Sequence, residues 1–294
     1  MKLTRRELVL SAGGALWAAT TADRLGLACA AGVTEAETRK ALAAARAAGF
    51  RRVQVTAPWS KVNASYYASL PSWVESEGLR VDALGGYVNC CHPESVMMNC
   101  RREDFPLVLD LAARMGTRRV VAWTGGYGNG TRDFVPANWT TAAEDEACRF
   151  LEGHVKRLEQ NHLTLALETL YTMMCPDGPS LARLLKRLPA CIGAVLDIAS
   201  MIPVARYAQR DQVLRETVSA LKGRIALVHM KDLRLRADGK HYDFPGPMGG
   251  ELNYRLFAAQ IKMLPPEVPL IAEHMKPEEY SDTRRRLLEL LGKV

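Results

Sequence analysis

The stretch RIALVHMKDL, residues 224–233, joins an apolar run to a group of titratable residues. Residues 225–228 are all apolar, and a run this short suits a strand that is covered on both faces, as in a parallel sheet. His229, Lys231 and Asp232 follow within four positions. Polar residues often mark only the point where a strand reaches the surface. The rest of the chain decides between that interpretation and a functional site.

Eight runs of this kind occur along the chain, and longer amphipathic stretches separate them. The runs cover residues 25–30, 52–57, 79–84, 118–123, 163–168, 192–197, 224–229 and 268–273. We predict helices between them, for example over residues 35–48 and 142–160. Thr34, with Glu37 three residues later, has the form of a capping box. Eight strand–helix repeats of roughly thirty residues predict an α/β fold, a single (β/α)8 TIM barrel.

Glycines mark the predicted helix ends. Gly49, Gly78 and Gly116 each follow a helical pattern, at the position where a C-cap glycine is expected.

A doubly wound parallel sheet is the alternative arrangement of alternating strands and helices. Its usual glycine-rich phosphate turn is missing after the first strand, where the sequence ACAAGVTEAE has one glycine and no GxGxxG. No linker or change in composition divides the chain. The longest irregular segment, residues 236–254, follows the seventh predicted strand, and loops of this size are usually functional or mobile.

The composition is ordinary for a folded soluble protein. Of the 294 residues, 48% are hydrophobic and 24% are charged. The net charge of +7 is spread along the chain, so we expect no nucleic-acid partner. No stretch predicts a stable membrane span. A homo-oligomer is left open, since no predicted helix marks a partner surface.

Residues 1–22 have the pattern of an export signal. TRRELVL, residues 4–10, contains a paired arginine followed by apolar positions, and an Ala/Gly-rich stretch comes next. We therefore expect a twin-arginine signal, a periplasmic location and a catalytic domain over residues 23–294. The alternative is an amphipathic first helix in a cytoplasmic protein. Seven cysteines without a CxxC pair argue against a complete disulfide framework.

The last four predicted strands each end on a possible metal ligand. LALE ends on Glu168, AVLD on Asp197, ALVH on His229 and LIAE on Glu273. In a barrel, the carboxyl ends of the strands meet at one mouth. Three carboxylates gathered there would repel one another, so a divalent cation is the natural compensation. Three oxygen ligands and one nitrogen ligand suit Mn²⁺, Mg²⁺ or Co²⁺, and Zn²⁺ is also compatible.

The pattern ALETL…VLDIAS…HMKD…PGPMGGELNY…LIAEHM resembles the xylose isomerase-like TIM barrels, the sugar phosphate isomerase/epimerase superfamily. The resemblance covers residues 25–292 and is strongest from Glu168 onward. It implies that Glu168, Asp197, His229 and Glu273 bind one divalent metal. It also implies that Glu168 and Glu273 form the acid–base pair.

The resemblance implies a divalent-metal-dependent sugar or polyol isomerase or epimerase. The metal would act as a Lewis acid for an enediolate, while the two carboxylates remove and return a proton. A lyase or dehydratase acting on a keto-sugar, 3-keto-glycoside or cyclitol is the alternative use of the same site. A non-catalytic sugar-binding protein is a third hypothesis. Each of the three predicts a small carbohydrate as the partner.

Five residues are candidate substrate contacts: Lys231, Trp59, His92, Trp123 and Ser200. Trp59 and Trp123 follow the second and fourth strands, where they could stack on a sugar face or pack in the core. His92 lies after the third strand. Lys231 could bind a substrate oxygen or pair with Asp232.

Two positions depart from the resemblance. Many relatives have an acidic residue at the end of the second strand, where this chain has Gln54. Relatives often have His or Asn where it has Ser200. Both positions lie where substrate contacts are expected, so the identity of the substrate is left open.

Overall fold

Eight parallel strands close into a barrel in the computed structural model, which describes residues 21–92 and 99–293. The barrel strands are β1 Leu25–Ala30, β2 Arg52–Thr56, β3 Arg80–Asn89, β4 Arg119–Trp123, β5 Thr164–Glu168, β6 Ile192–Leu196, β7 Ile225–Met230 and β10 Leu270–Ala272. Neighbours along the chain pair in parallel, and β10 pairs with both β7 and β1. This closure confirms the (β/α)8 barrel and excludes the open doubly wound sheet.

Helices cover the outside of the barrel. They are α1 Glu35–Ala47, α2 Ala64–Ser76, α3 Phe105–Arg114, α4 Thr141–Glu152, α5 Val155–Gln160, α6 Gly178–Lys186, α7 Arg210–Ala220, α8 Tyr254–Lys262 and α9 Tyr280–Lys293. The capping box before α1 is confirmed, because the side chains of Thr34 and Glu37 each accept a hydrogen bond from the other residue's backbone N–H. Gly49, Gly78 and Gly116 have φ of +87°, +62° and +65°, as expected for C-cap glycines.

The single helix predicted over residues 142–160 is wrong in one respect. The chain forms two helices there, α4 and α5, and Gly153 caps the first with its N–H directed to the Arg149 carbonyl. Glycine is about 1 kcal/mol less favourable than alanine inside a helix. The chain bends at this residue instead of continuing through it.

The interior of the barrel is a separate apolar layer. It contains Ala83, Val121, Ala166, Val195, Leu227 and Ile271. Successive side chains of a strand point to opposite faces, so the residue two positions further on faces the same way. Two positions beyond the last four of these residues stand Glu168, Asp197, His229 and Glu273. The pleat therefore directs all four predicted ligands into the barrel at its C-terminal mouth.

The third strand ends five residues later than predicted, at Asn89. Two glycines, Gly85 and Gly86, interrupt the apolar pattern, and the strand continues through them to Asn89. A Cβ atom on Gly85 would lie 2.0 Å from Thr56 Oγ1, so only glycine allows β3 to lie this close to β2. The extension places Tyr87 at the mouth of the barrel.

Arginine side chains close the opposite, N-terminal end. Arg24 Nε donates to the Val268 carbonyl oxygen at 2.7 Å. Arg119 Nε donates to the carbonyl of Ala226 at 2.7 Å, and its guanidinium also reaches the carbonyl of Glu267. These bonds tie together segments that lie far apart along the chain.

The loop between β7 and α8 has structure of its own. Two short antiparallel strands, β8 Arg234–Leu235 and β9 Tyr242–Asp243, form a hairpin. Within the described residues, no helix is long and apolar enough to cross a membrane. All seven cysteines are free. The export signal predicted for residues 1–22 lies outside the described residues except for Thr21 and Ala22, and it stays a prediction.

Two leucines of α3 provide a matched test of the core between helices and strands. Leu109 is fully buried and Leu107 is 51% exposed. Leu109→Ala should lower the free energy of unfolding by about 2–5 kcal/mol, because it leaves a cavity. Leu107→Ala should change that free energy by less than about 0.5 kcal/mol. Urea denaturation followed by circular dichroism measures both, and equal losses would contradict the packing of α3.

Candidate metal centre

Four ligand side chains converge at the C-terminal mouth. Glu168 ends β5, Asp197 follows β6, His229 lies in β7 and Glu273 follows β10. Each offers one ligand atom, and these atoms all lie within 4.8 Å of one another. His229 Nδ1 is 3.1 Å from Glu168 Oε2 and 3.5 Å from Glu273 Oε1. The strand ends therefore bring together the group that the sequence predicts.

Lys231, the residue directly after β7, adds a positive charge to the cluster. Its Nζ lies 2.6 Å from Asp197 Oδ2, 2.8 Å from Glu273 Oε1 and 3.7 Å from Glu168 Oε1. The ammonium group thus pairs with the cluster, and Asp232 has a different role. The Asp232 carboxylate accepts hydrogen bonds from the backbone N–H of Leu233 and of Leu252, at 2.7 and 2.9 Å. Asp232 therefore holds the loop after β7.

The donor set fits a divalent cation. Glu168 Oε2, Asp197 Oδ1 and His229 Nδ1 are buried and have no hydrogen-bond partner among the residues that the structure describes. Buried polar atoms are normally satisfied, so three such atoms converging on one point indicate a missing partner. Three carboxylates and one ammonium leave a net charge of −2 when the imidazole is neutral. A divalent cation matches both this charge and the oxygen-rich ligands.

The electrostatics of the cluster keep the two glutamates ionised. Burial opposes their charge, but the positive charges of a protonated His229 and of Lys231 outweigh it and hold the pKa of the Glu168 carboxyl below its ordinary value; the neighbouring carboxylates raise the pKa of His229 itself to about 9 against the effect of burial. The same opposition lowers the pKa of Glu273 to about 2. At Asp197 burial prevails over Lys231 and raises the pKa to about 6. Glu168 and Glu273 are therefore ionised at neutral pH, the form in which a carboxylate can accept a proton.

A cavity of about 740 Å³ opens above the cluster. Its wall includes Gln54, Tyr87, Trp123, Glu168, Lys231, Phe244, Glu273 and His274. Asp197 is not part of this wall among the described residues, and its side chain is fully buried. The cavity thus exposes two of the three carboxylates, while Asp197 lies behind them.

The five candidate substrate contacts occupy different places. Lys231 and Trp123 line the cavity, and the Trp123 ring packs on Tyr87 with centroids 4.8 Å apart. Trp59 is 1% exposed and its indole N–H donates to the Gly85 carbonyl, a placement that favours core packing. His92 is half-buried against Tyr127, and Ser200 is fully buried. Neither residue is in the described part of the cavity wall.

Tyr87, His274 and Phe244 are among the cavity residues that the sequence predictions did not include. Tyr87 and His274 have φ of 42° and 60°, a region that is strained for residues other than glycine and is often found at functional sites. His274 Nδ1 lies 3.0 Å from the Phe244 carbonyl oxygen and must donate there, which leaves Nε2 as an acceptor in the neutral ring. Its position next to Glu273 was the available signal, whereas Tyr87 was hidden behind the two glycines.

Fold and site together define a TIM-barrel protein with a carboxylate-rich centre at the mouth of the barrel. The chain belongs to the xylose isomerase-like TIM barrel family, whose model matches residues 42–290. The sequence has no significant match among curated proteins.

Solved structures share this fold. The 3-keto-D-glucoside 4-epimerase from E. coli matches with a TM-score of 0.66 and 14% identity, over 90% of this chain and 98% of that one. L-ribulose 3-epimerase matches with a TM-score of 0.64 and 16% identity, over 91% and 97%. A xylose isomerase-like TIM barrel protein from Mycobacterium smegmatis in complex with magnesium has a TM-score of 0.63 and 16% identity, over 86% and 87%.

Asp197 provides a test of metal binding that leaves the cavity wall unchanged. Asp197→Asn keeps the shape of the side chain but removes an anionic ligand. It should lower Mn²⁺ affinity by at least about 10- to 100-fold, the loss typical of even outer-shell changes. Equilibrium dialysis with elemental analysis measures this affinity. Asp145→Asn is the control, because Asp145 lies on the surface in an ion pair with Arg187, and its affinity should equal that of the wild type. Unchanged binding by the Asp197 variant would place the metal elsewhere.

Proposed function

We propose that the protein is a divalent-metal-dependent sugar or polyol isomerase or epimerase, in which Glu168 and Glu273 transfer the proton. One observation carries the proposal: these two carboxylates line the cavity and flank His229, while the third carboxylate is withdrawn behind them. The family supports a sugar-acting enzyme. Epimerases among the solved structures of the same fold point in the same direction.

Glu168, Asp197, His229 and Glu273 are the residues that would hold the cation. When bound there, a divalent metal supplies a Lewis acid to a substrate oxygen and stabilises the negative charge of an enediolate. The oxygen-rich set favours Mn²⁺, Mg²⁺ or Co²⁺ and also accommodates Zn²⁺.

The two glutamates do the acid–base work. One carboxylate removes the proton from the carbon beside a carbonyl group, and the other returns a proton. Return to the same carbon from the other side is epimerisation, whereas delivery to the adjacent carbon is isomerisation. The Lys231 ammonium, together with the positive charge of a protonated His229 or of a cation in its place, outweighs burial and keeps both carboxylates ionised, so either can act as the initial base.

Other cavity residues bind and orient the substrate. The Lys231 ammonium faces the cavity and can donate to a substrate oxygen as negative charge develops. The exposed face of Trp123, held against Tyr87, offers an apolar surface for the C–H groups of a sugar ring. These contacts fit a small carbohydrate.

Proton exchange with solvent tests the acid–base assignment. Glu168→Gln should lower the rate of deuterium incorporation from D₂O into the substrate by about 10²- to 10⁴-fold, since an amide cannot accept the proton. Mass spectrometry or NMR over a panel of ketoses and 3-keto-glycosides measures this rate. Glu144→Gln, on the outer helix α4 in an ion pair with Arg187, is the control and should exchange at the wild-type rate.

Other outcomes of this panel decide between the hypotheses. Unchanged exchange in the Glu168 variant would disprove the assignment of Glu168 as a base. Loss of water from the substrate would identify a dehydratase, because isomerases and epimerases conserve mass. Bound metal without exchange or turnover on any sugar would indicate a binding protein.

A further inference from the structure

Two buried side chains connect the nitrogen ligand of the metal centre to one of its carboxylates. Gln54, in β2, is 1% exposed, and its Oε1 lies 3.0 Å from His229 Nε2. Gln54 Nε2 donates to the Tyr87 hydroxyl at 3.0 Å. Tyr87 and Glu168 line the same cavity, and burial together with the negative charge of Glu168 raises the pKa of the Tyr87 hydroxyl, as expected for a hydroxyl that faces this carboxylate. Ligand and base are thus linked through residues that hold no metal themselves.

The direction of these hydrogen bonds follows from the groups present. A metal ligand needs a lone pair on His229 Nδ1, so the ring proton must be on Nε2 and the Gln54 oxygen accepts it. The amide then has only N–H groups left, and one of them donates to the Tyr87 oxygen. The Tyr87 proton is consequently free to be donated to the Glu168 carboxylate. Every group in the series donates in the same direction.

We propose that Gln54 and Tyr87 are positioning residues: Gln54 directs His229 Nδ1 toward the metal, and Tyr87 orients Glu168 for proton transfer. The inference rests on the function proposed above. The proposal explains why an amide side chain stands at position 54 and why the backbone of Tyr87 has a strained conformation.

The amide is the part of this arrangement that a carboxylate could not replace. A glutamate at position 54 would still accept a proton from His229 Nε2, and more strongly. It has no N–H group, however, so it would also accept from the Tyr87 hydroxyl and draw this donor away from Glu168. Gln54 accepts the hydrogen bond from His229 Nε2 and leaves the Tyr87 hydroxyl proton available to Glu168.

The backbone around Tyr87 supports the same role. Tyr87 has a φ of 42°, follows the close approach of β3 to β2 at Gly85, and packs its ring on Trp123. A residue needed only to fill the cavity wall could adopt an ordinary conformation. The strained one accompanies a ring whose hydroxyl reaches Gln54 Nε2 in the cavity wall that Glu168 shares.

Three variants with two readouts test the proposal. Gln54→Leu should lower Mn²⁺ affinity by about 10- to 100-fold, the usual effect of losing a partner behind a ligating histidine. Tyr87→Phe should keep Mn²⁺ affinity within about two-fold while lowering kcat of deuterium exchange by roughly 10- to 100-fold at unchanged KM, as for a lost hydrogen bond to a charged group. Gln54→Glu should bind Mn²⁺ like the wild type yet lose exchange as Tyr87→Phe does.

Tyr66→Phe is the matched control. Tyr66 also makes a side-chain hydrogen bond, to Thr38 Oγ1 at 2.8 Å, but lies in α2 on the outside of the barrel. This variant should leave Mn²⁺ affinity and exchange unchanged. Circular dichroism of all variants confirms that each one is folded.

Contrary results separate the two parts of the proposal. Wild-type Mn²⁺ affinity in Gln54→Leu would disprove the link to His229. Wild-type exchange in Tyr87→Phe, or in Gln54→Glu, would disprove the link to Glu168. If the wild-type protein exchanges deuterium into no sugar, the proposed function and the role of Tyr87 fail together. The Mn²⁺ measurements then still decide the role of Gln54, because they need no substrate.

Discussion

Three carboxylates buried within 4.8 Å of one another form the constraint on which the rest of this site depends. Such a group is strongly unfavourable unless positive charge compensates it. Lys231 supplies one positive charge. The remaining net charge of −2 matches that of a divalent cation in magnitude. The surrounding elements keep these groups in place: Asp232 holds the loop after β7, and Tyr254 donates to the carbonyl of Lys231. The loop is therefore part of the centre's support.

The barrel meets this constraint through the pleat of its strands. Ala166, Val195, Leu227 and Ile271 fill the interior, and the next inward-facing residue on each strand is a ligand. A shift of one residue in any of these strands would turn its ligand to the outer face. Apolar packing inside the barrel therefore sets the positions of the four ligands above it. These ligands are held by strands that the core keeps rigid.

Much of this arrangement could be predicted from the sequence, because it follows from local patterns. Short apolar runs show the strands, and ligands at the ends of four runs meet once the barrel closes. Tyr87 could not be predicted, because Gly85 and Gly86 interrupt the apolar pattern of the third strand, whose continuation depends on contact with β2. The partners of Gln54 were equally hidden: Tyr87 lies in the unexpected extension of β3, and His229 lies in β7, which only the closed barrel brings to face β2. For Trp59 the local pattern alone was misleading. Its position after a strand suggests a binding role, but its side chain packs in the core.

The arginines at the N-terminal end have a consequence for how the chain folds. Arg24 donates to the carbonyl of Val268, and Arg119 donates to that of Glu267. Neither hydrogen bond can form until this segment near the end of the chain has joined the barrel. Contacts of such long sequence separation form late and slow folding. Until β10 arrives, β1 and β7 are open edges, and open edges invite pairing with other chains. We therefore expect the chain to be prone to aggregation until β10 has paired with β1 and β7. The hydrogen bonds of Arg24 and Arg119 to Val268 and Glu267 hold the segment before β10 in place and so stabilise the closed barrel.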